Sequence, residues 1–325
     1  MNRALAILLF CLVAPLAMAD SSRVMPTVYD TATLGGAART YQSVNVWEAA
    51  TQGNLVTGGR GKVLECYADG DATYDQSFTI AGSITNATLF RVLKAAAGHE
   101  YVFATAAGFA FAYDTAAAVD PYYVGEDNFG LYDLGFTLVG QNHATIAAAV
   151  YFVAGKSGYR MVGCTVFDCI NAGSGTYDGV ELNGAGTFIN CLFVDNDRVG
   201  WFAQATGGTN LVYNCTAIGG QWGYYAVAAG DTNTAINCIA QGFSTAGFDG
   251  SFDATTTCTT SGVTFVGGDD YHLAAGDTVA RGNGTDLSGT FDDDIDGDTR
   301  SAWDIGPDEY QGAPAATGGK RNSFF

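Results

Sequence analysis

The chain has 325 residues, with 14 Lys+Arg against 33 Asp+Glu, a net charge of −19, and 44 Gly but only 5 Pro. A field of that sign repels polyanions, which excludes nucleic acid as an expected partner. The length permits two domains, yet short apolar runs and Gly-rich turns continue evenly through residues 60–290, which predicts one elongated unit.

In chain order, residues 1–19, MNRALAILLFCLVAPLAMA, join Arg3 to an apolar stretch ending in Ala17 and Ala19. This is the pattern of a cleaved secretory signal, with the mature chain starting at Asp20. Phe10, directly before Cys11, argues against lipidation there. No later stretch holds the roughly 20 consecutive apolar residues of a membrane span. The expected location is therefore secreted, extracellular or at the cell surface. Residues 20–60 form an N-terminal segment. Within it, SVNVWEAATQG (43–53) predicts a short helix with Ser43 as N-cap, Val44, Trp47 and Ala50 on one face, and Gly53 as the stop. KVLECYADG (62–70) predicts the first strand.

Between residues 61 and 268 the sequence repeats. RMVGCTVFD (160–168), FINCLFVD (188–195), VYNCTAIG (212–219) and AINCIAQG (235–242) align on Cys164, Cys191, Cys215 and Cys238, with steps of 27, 24 and 23 residues. LYDLGFTLVG (131–140) extends the column upstream through Phe136, and Trp201, Tyr225 and Phe248 each follow a cysteine by ten positions. Such a period, with β-branched and aromatic runs rather than i, i+3, i+4 spacing, predicts a coil of parallel strands whose turns stack about 4.8 Å apart. Like side chains then form ladders, Cys on Cys inside and Asn on Asn at the turn. The helix at 43–53 covers the open end of the coil.

This pattern resembles the right-handed parallel β-helix proteins, including pectate-lyase-like secreted proteins, over roughly residues 60–310. The implied fold is all-β, a single-stranded right-handed parallel β-helix with an N-terminal capping helix and an acidic C-terminal cap. The seven cysteines of the mature chain, Cys66, Cys164, Cys169, Cys191, Cys215, Cys238 and Cys258, are odd in number. At coil spacing their parallel Cβ vectors suit the disulfide torsion poorly. Buried free thiols are expected.

The coil has few basic residues, Lys62, Arg91, Lys94, Lys156, Arg160 and Arg198, which disfavours a uronate lyase. A glycosidase needs paired carboxylates. The candidate catalytic set is Asp178 and Glu181 in YDGVELNG (177–184), with Asp195, Asp197 and Arg198 in VDNDRVG (194–200). The competing reading is that these acids cap strands and solvate the surface. His99, His143 and His272 lie near no carboxylate or serine motif in the sequence. GGQWGYYAV (219–227) offers a ligand-binding pair: with Tyr225 in the inward column, Tyr224 faces outward and Trp222 sits at the turn, placed to stack on sugar rings.

Residues 269–310 close the chain. DIDGDTRSAWDIGPDEY resembles the D-x-D-G-x-x-R…D-I-G-A-x-E-Y ending of bacterial surface β-helix proteins, and DDYHLAAGDTVARGNG (269–284) resembles their lead-in. Pro307 and the pair Asp277-Thr278 depart from that pattern. The resemblance implies closure, with Arg300 pairing to Asp296, Asp304 or Glu309 and with Ile305 and Tyr310 covering the interior of the last coil. Asp292, Asp294 and Asp296 before Gly297 match the start of a calcium loop, but Trp303 stands where its bidentate Glu belongs. The metal candidate is thus a looser calcium site of Asp292, Asp294, Asp296 and Asp298, with no other cofactor expected. The Gly-, Ala- and Pro-rich tail, 311–325, is expected to be disordered.

The functional expectation is an exported module of bacterial or phage origin that binds a polysaccharide or cell-surface glycan along one face of the coil. The alternatives are a polysaccharide-degrading lyase or glycosidase and a non-catalytic adhesin stalk.

Overall fold

The computed structural model describes residues 23–311, apart from 70–72, 75–76, 116–119, 141–146, 173–174, 205–207, 228–231 and 253. The expected signal segment, His143 and nearly all of the tail lie outside the described residues.

The fold is a parallel β-solenoid. Each repeat supplies one strand to each of three sheets, of nine, seven and eight strands, and neighbours within a sheet come from successive coils. The inward rows are apolar from end to end. In the nine-stranded sheet Leu64, Leu93, Leu131, Met161, Phe188, Val212 and Ala235 stand in register. In the eight-stranded sheet the row is Phe111, Phe136, Val166, Phe193, Ala217 and Ala240. The seven-stranded sheet contributes Phe78, Tyr122, Val150, Val180, Trp201, Tyr224 and Phe248. Side chains alternate across a strand, so each coil places a few apolar groups inside. Each large one contributes roughly 1.5–3 kcal/mol on burial.

The cysteine column is real and longer than the sequence indicates. Thr165 pairs with Gly135, so Cys164 lies over Leu134; Phe136 belongs to the next inward row, under Val166. At the other end the column runs on to Cys258, whose Sγ accepts the Cys238 amide at 3.4 Å. None of the seven cysteines forms a disulfide, and all but the half-buried Cys258 are buried. Burial in the apolar interior pushes the thiols of Cys164, Cys169, Cys215 and Cys238 well up.

The residue before each of these positions makes the corner between two sheets. Asp133, Gly163, Asn190, Asn214, Asn237 and Thr257 all have φ between 48° and 62°. Among L residues Asn and Asp tolerate this left-handed conformation best, which explains the recurring Asn-Cys pair.

The predicted helix spans Val44–Thr51. Val44 and Trp47 join the core cluster that contains Leu34, Leu64, Phe78 and Ile80, at the first coil. Two expectations fail locally. Ser43 has an extended backbone but makes no side-chain cap bond. Ala50 is exposed, and Glu48 is the third buried side chain of the helix. Glu48 turns inward because Arg91, fully buried, lies beneath it. The Arg91 guanidinium donates to Glu126 Oε1 at 2.7 Å, to Glu48 Oε1 at 3.3 Å and to the Ala81 carbonyl at 3.1 Å.

The acidic closing segment lies along the flank of the coil rather than across its end. Asn190 Nδ2 donates to the Asp293 carbonyl at 2.9 Å, and Asn214 Nδ2 to the carbonyls of Asp304 and Gly306, each at 3.0 Å. Asn237 takes the Thr285 amide at 2.7 Å. Phe291 and Trp303 cover an outer apolar row of Tyr132, Val162 and Ile189. Ile305 packs on Ile239, Val263, Leu273 and Ala280 outside the main core. The corner asparagines direct their side-chain amides to the outer flank, where carbonyls of the closing segment accept from them. Of the three partners expected for Arg300, the structure gives Glu309, at 3.7 Å. Arg300 also donates to Asn190 Oδ1 at 2.9 Å and to the Pro307 carbonyl at 2.6 Å.

Candidate functional site

On the outer face of the seven-stranded sheet stand Glu181 and Trp222, two of the residues singled out from sequence, with Asp178 and Arg198 beside them. Its outward row, in register, is Thr79, Tyr123, Tyr151, Glu181, Phe202, Tyr225 and Asp249. Stacking at strand spacing brings the rings face to face. Tyr123 and Tyr151 have centroids 5.6 Å apart at 13°, and Phe202 and Tyr225 5.5 Å apart at 15°. Trp222 lies on Tyr225 at 5.6 Å and 17°, and its indole N–H donates to Asp249 at 3.0 Å. Two aromatic platforms result, separated by the rung of Glu181. At about 4.8 Å per rung, Tyr151 and Phe202 are about 10 Å apart along the axis.

The expected orientation of the tyrosine pair is reversed. Tyr224 is fully buried in the inward row between Trp201 and Phe248, and Tyr225 is the outward, half-buried member. The cause is the corner preceding the strand. Residues 195–198 join Val194 to Val199, whereas only 219–221 join Ile218 to Trp222. The shorter corner uses two consecutive left-handed glycines, Gly219 and Gly220, at φ 72° and 87°. The inward aromatic therefore follows Cys215 by nine residues rather than ten.

Glu181 sits between the platforms and is 8% exposed. Asn183 and Gln204 donate to its Oε1 at 2.9 and 2.6 Å. Burial, reinforced by the charge of Asp120, raises its pKa despite those bonds. Asp178 has no exposed surface. Arg198 grips it in a fork, Nε to Oδ1 at 2.8 Å and Nη2 to Oδ2, and the same guanidinium lies 4.6 Å from the centroid of Phe202. Burial pushes the Asp178 carboxyl up to about 7 against the pull of Arg198, with Glu181 adding to the rise. Asp178, Glu181 and Arg198 thus form one electrostatic unit, joined by Asp120, which none of the sequence patterns marked.

Asp195 and Asp197 lie elsewhere. Asp195 is a corner residue at φ 49°, like Asp168 one coil before it. Burial raises both, and Asp269 adds to each rise. Asp197 accepts the Asn171 amide at 2.6 Å. Both acids serve the turn and stand apart from the aromatic row.

The aspartates of 292–298 also divide. Asp294 is buried and accepts the amides of Asp298 at 2.8 Å and Glu309 at 3.3 Å; burial, with Asp296 beside it, pushes its carboxyl up to about 7. Asp296 turns to His272, whose Nε2 is 2.8 Å from its Oδ2. The histidine does have carboxylate neighbours, since its Nδ1 is 2.5 Å from Asp270. The fold, not the local sequence, brings residues 270–273 against 296–308. The bond to Asp296 raises the pKa of His272 to about 10 against the effect of burial. His99 is occupied by a backbone amide, Ala68 N, at 3.1 Å.

Two surface concavities lie away from the aromatic row. One is lined by helix and loop residues including Thr51, Asn54 and Arg60, the other by Asp277, Arg281, Ala302 and Tyr310. The aromatic row itself lies on the face of a sheet. The fold and this face define a parallel β-solenoid with a ring-lined outer surface. Comparison with known proteins yields no match to any family model, curated protein or solved structure.

Proposed function

We propose that the protein is an exported β-solenoid that binds a neutral glycan along the outer face of its seven-stranded sheet. The observation that carries this reading is the pair of outward platforms, Tyr123–Tyr151 and Phe202–Tyr225–Trp222, aligned along the coil axis. The half-buried rings of Tyr123, Tyr151, Trp222 and Tyr225, with the buried Phe202 stacked on Tyr225, present apolar faces to the apolar faces of sugar rings at little conformational cost. Asn183, Gln204 and Glu181 between the platforms supply hydrogen-bonding groups for hydroxyls. A net charge of −19 and the Glu181 carboxylate disfavour uronate-rich chains. Affinity electrophoresis against neutral and acidic polysaccharides tests this. Retardation by a neutral polymer that falls about tenfold or more in Tyr225→Ala and Tyr151→Ala supports it, and equal retardation of wild type and both variants refutes it.

A second reading, polysaccharide hydrolysis, draws on the Asp178 carboxyl near 7, the range of a general acid. Against it, Asp178 has no exposed surface and is held by Arg198, which fits a positioning role beneath Phe202. New reducing ends released by wild type but not by Asp178→Asn would favour the enzyme.

A further inference from the structure

We propose that His272, Asp296 and Asp308 form a binding site for a divalent transition-metal cation, with Zn²⁺ the ion their donor set suits best. One ligand atom from each, an imidazole nitrogen and two carboxylate oxygens, lies within 4.8 Å of the others. Atoms each about 2.0–2.2 Å from one cation stand at most about 4.4 Å apart, so small rotations of the partly exposed His272 and Asp296 side chains draw the set around an ion. One nitrogen and two oxygens suit Zn²⁺ better than the all-oxygen shells of Ca²⁺ or Mg²⁺.

The surroundings match what a metal-ligating histidine requires. Its second ring nitrogen, Nδ1, faces the Asp270 carboxylate at 2.5 Å, the outer partner that fixes tautomer and ring orientation in such sites. Asp308 is 7% exposed, with Oδ2 fixed by the Leu273 amide at 2.7 Å. His272 and Asp296 side chains are 38% and 46% exposed, which leaves an entry path and room for water ligands. The two carboxylates, Asp296 and Asp308, converge on the imidazole and supply the negative charge that favours a dication there. All three ligands belong to the closing segment, His272 on the hairpin strand Asp270–Leu273 and Asp296 and Asp308 in the loops that follow. Bound metal would cross-link three stretches that meet only in the folded chain, coupling ion binding to the folding of that segment.

The site differs from the calcium loop expected from the sequence: of those four aspartates only Asp296 takes part. The glycan reading does not depend on it. The test uses the full chain stripped with chelator, with Co²⁺ as a spectroscopic probe. The expected result is one equivalent of Co²⁺ producing a visible absorption band that one equivalent of Zn²⁺ abolishes. Zn²⁺ should also raise the melting temperature. Binding should weaken by about 100-fold or more in His272→Gln and Asp308→Asn, and by about 10–100-fold in Asp270→Asn through loss of the outer partner. Asp296→Asn, at an exposed position, provides a ligand variant should Asp308→Asn fail to fold. Absence of the band at tens of micromolar Co²⁺ overturns the proposal, as does retention of wild-type affinity in His272→Gln. A thermal shift given by Ca²⁺ but not Zn²⁺, and kept in His272→Gln, assigns the cation to the aspartate loop and overturns it equally.

Discussion

Replacing Arg91 with Met tests how the N-terminal end of the solenoid is held. Arg91 has no exposed surface and touches two carboxylates, Glu126 with 1% of its surface exposed and Glu48 with 7%. Removing the guanidinium leaves both carboxylates in a site that water barely reaches. Breaking a buried pair in this way costs about 3–5 kcal/mol, because the surviving charge loses its partner while remaining desolvated. The Ala81 and Glu48 carbonyls also lose a donor. At about 2–4 °C per kcal/mol for a chain somewhat smaller than this one, the transition of the affected region falls by roughly 6–20 °C. Solenoid coils interact with their neighbours only, so the loss should be regional. Hydrogen exchange is the suitable assay: amides of 44–130 should lose protection while those of 186–250 retain it. The triple change Arg91→Met, Glu126→Met and Glu48→Met should recover most of the loss, since an apolar group of similar volume in place of a buried ion pair is often neutral or stabilising. An effect of Arg91→Met below about 1 kcal/mol, or one spread evenly over the coil, would refute the reasoning.

Two further outcomes follow from individual contacts. Asn214→Ala loses two hydrogen bonds to the closing segment and puts a Cβ-bearing residue without a polar side chain at φ 48°; about 2–3 kcal/mol is expected by urea unfolding, and Asn214→Gly should restore only the backbone share, about 1 kcal/mol. Asp178 gives a pH dependence of defined sign. Its folded pKa, about 7, lies above the unfolded value, so the folded state holds the extra proton and stability falls as pH rises from about 4 to 7. Asp178→Asn removes that slope, and the wild-type-minus-variant stability should drop by at most about 4 kcal/mol across the window; a difference that is flat or rises with pH would contradict the burial argument.

The sequence carried the architecture because the solenoid repeats a physical requirement at every coil. A corner residue at positive φ followed by a small inward group reads as Asn-Cys at Asn190, Asn214 and Asn237. Cys258 escaped notice because Thr257 takes the Asn position there. The inward aromatics were legible at Trp201 and Phe248 and misread at Tyr225, since a corner can shorten by one residue without disturbing the ladder, and the inward ring, Tyr224, then follows its cysteine by nine residues instead of ten. The closing segment's contact with the flank asparagines was hidden because its carbonyls, not its conspicuous carboxylates, make those bonds. His272 lay at a position that the lead-in motif leaves open, and its partners Asp296 and Asp308 are 24 and 36 positions away.

The division between inward and outward rows also determines where function can reside. The interior is saturated: its thiols are buried, and its rings fill the coil from Phe78 to Phe248. The corners are committed too, with Asp168 and Asp195 holding left-handed turns and the asparagines tied to the closing segment. A change in either place disturbs stacking in the neighbouring coils before it alters recognition. The outward row of the seven-stranded sheet has no such duty along most of its length, yet four of its seven in-register positions are aromatic, at Tyr123, Tyr151, Phe202 and Tyr225. On an outer face, solubility alone favours polar or charged residues at such positions, as Thr79 and Asp249 show at the two ends of the row. Rings kept there, stacked at rung spacing with an acid between the platforms, are more than the fold needs. That excess is the physical ground of the proposal that this face binds a ligand.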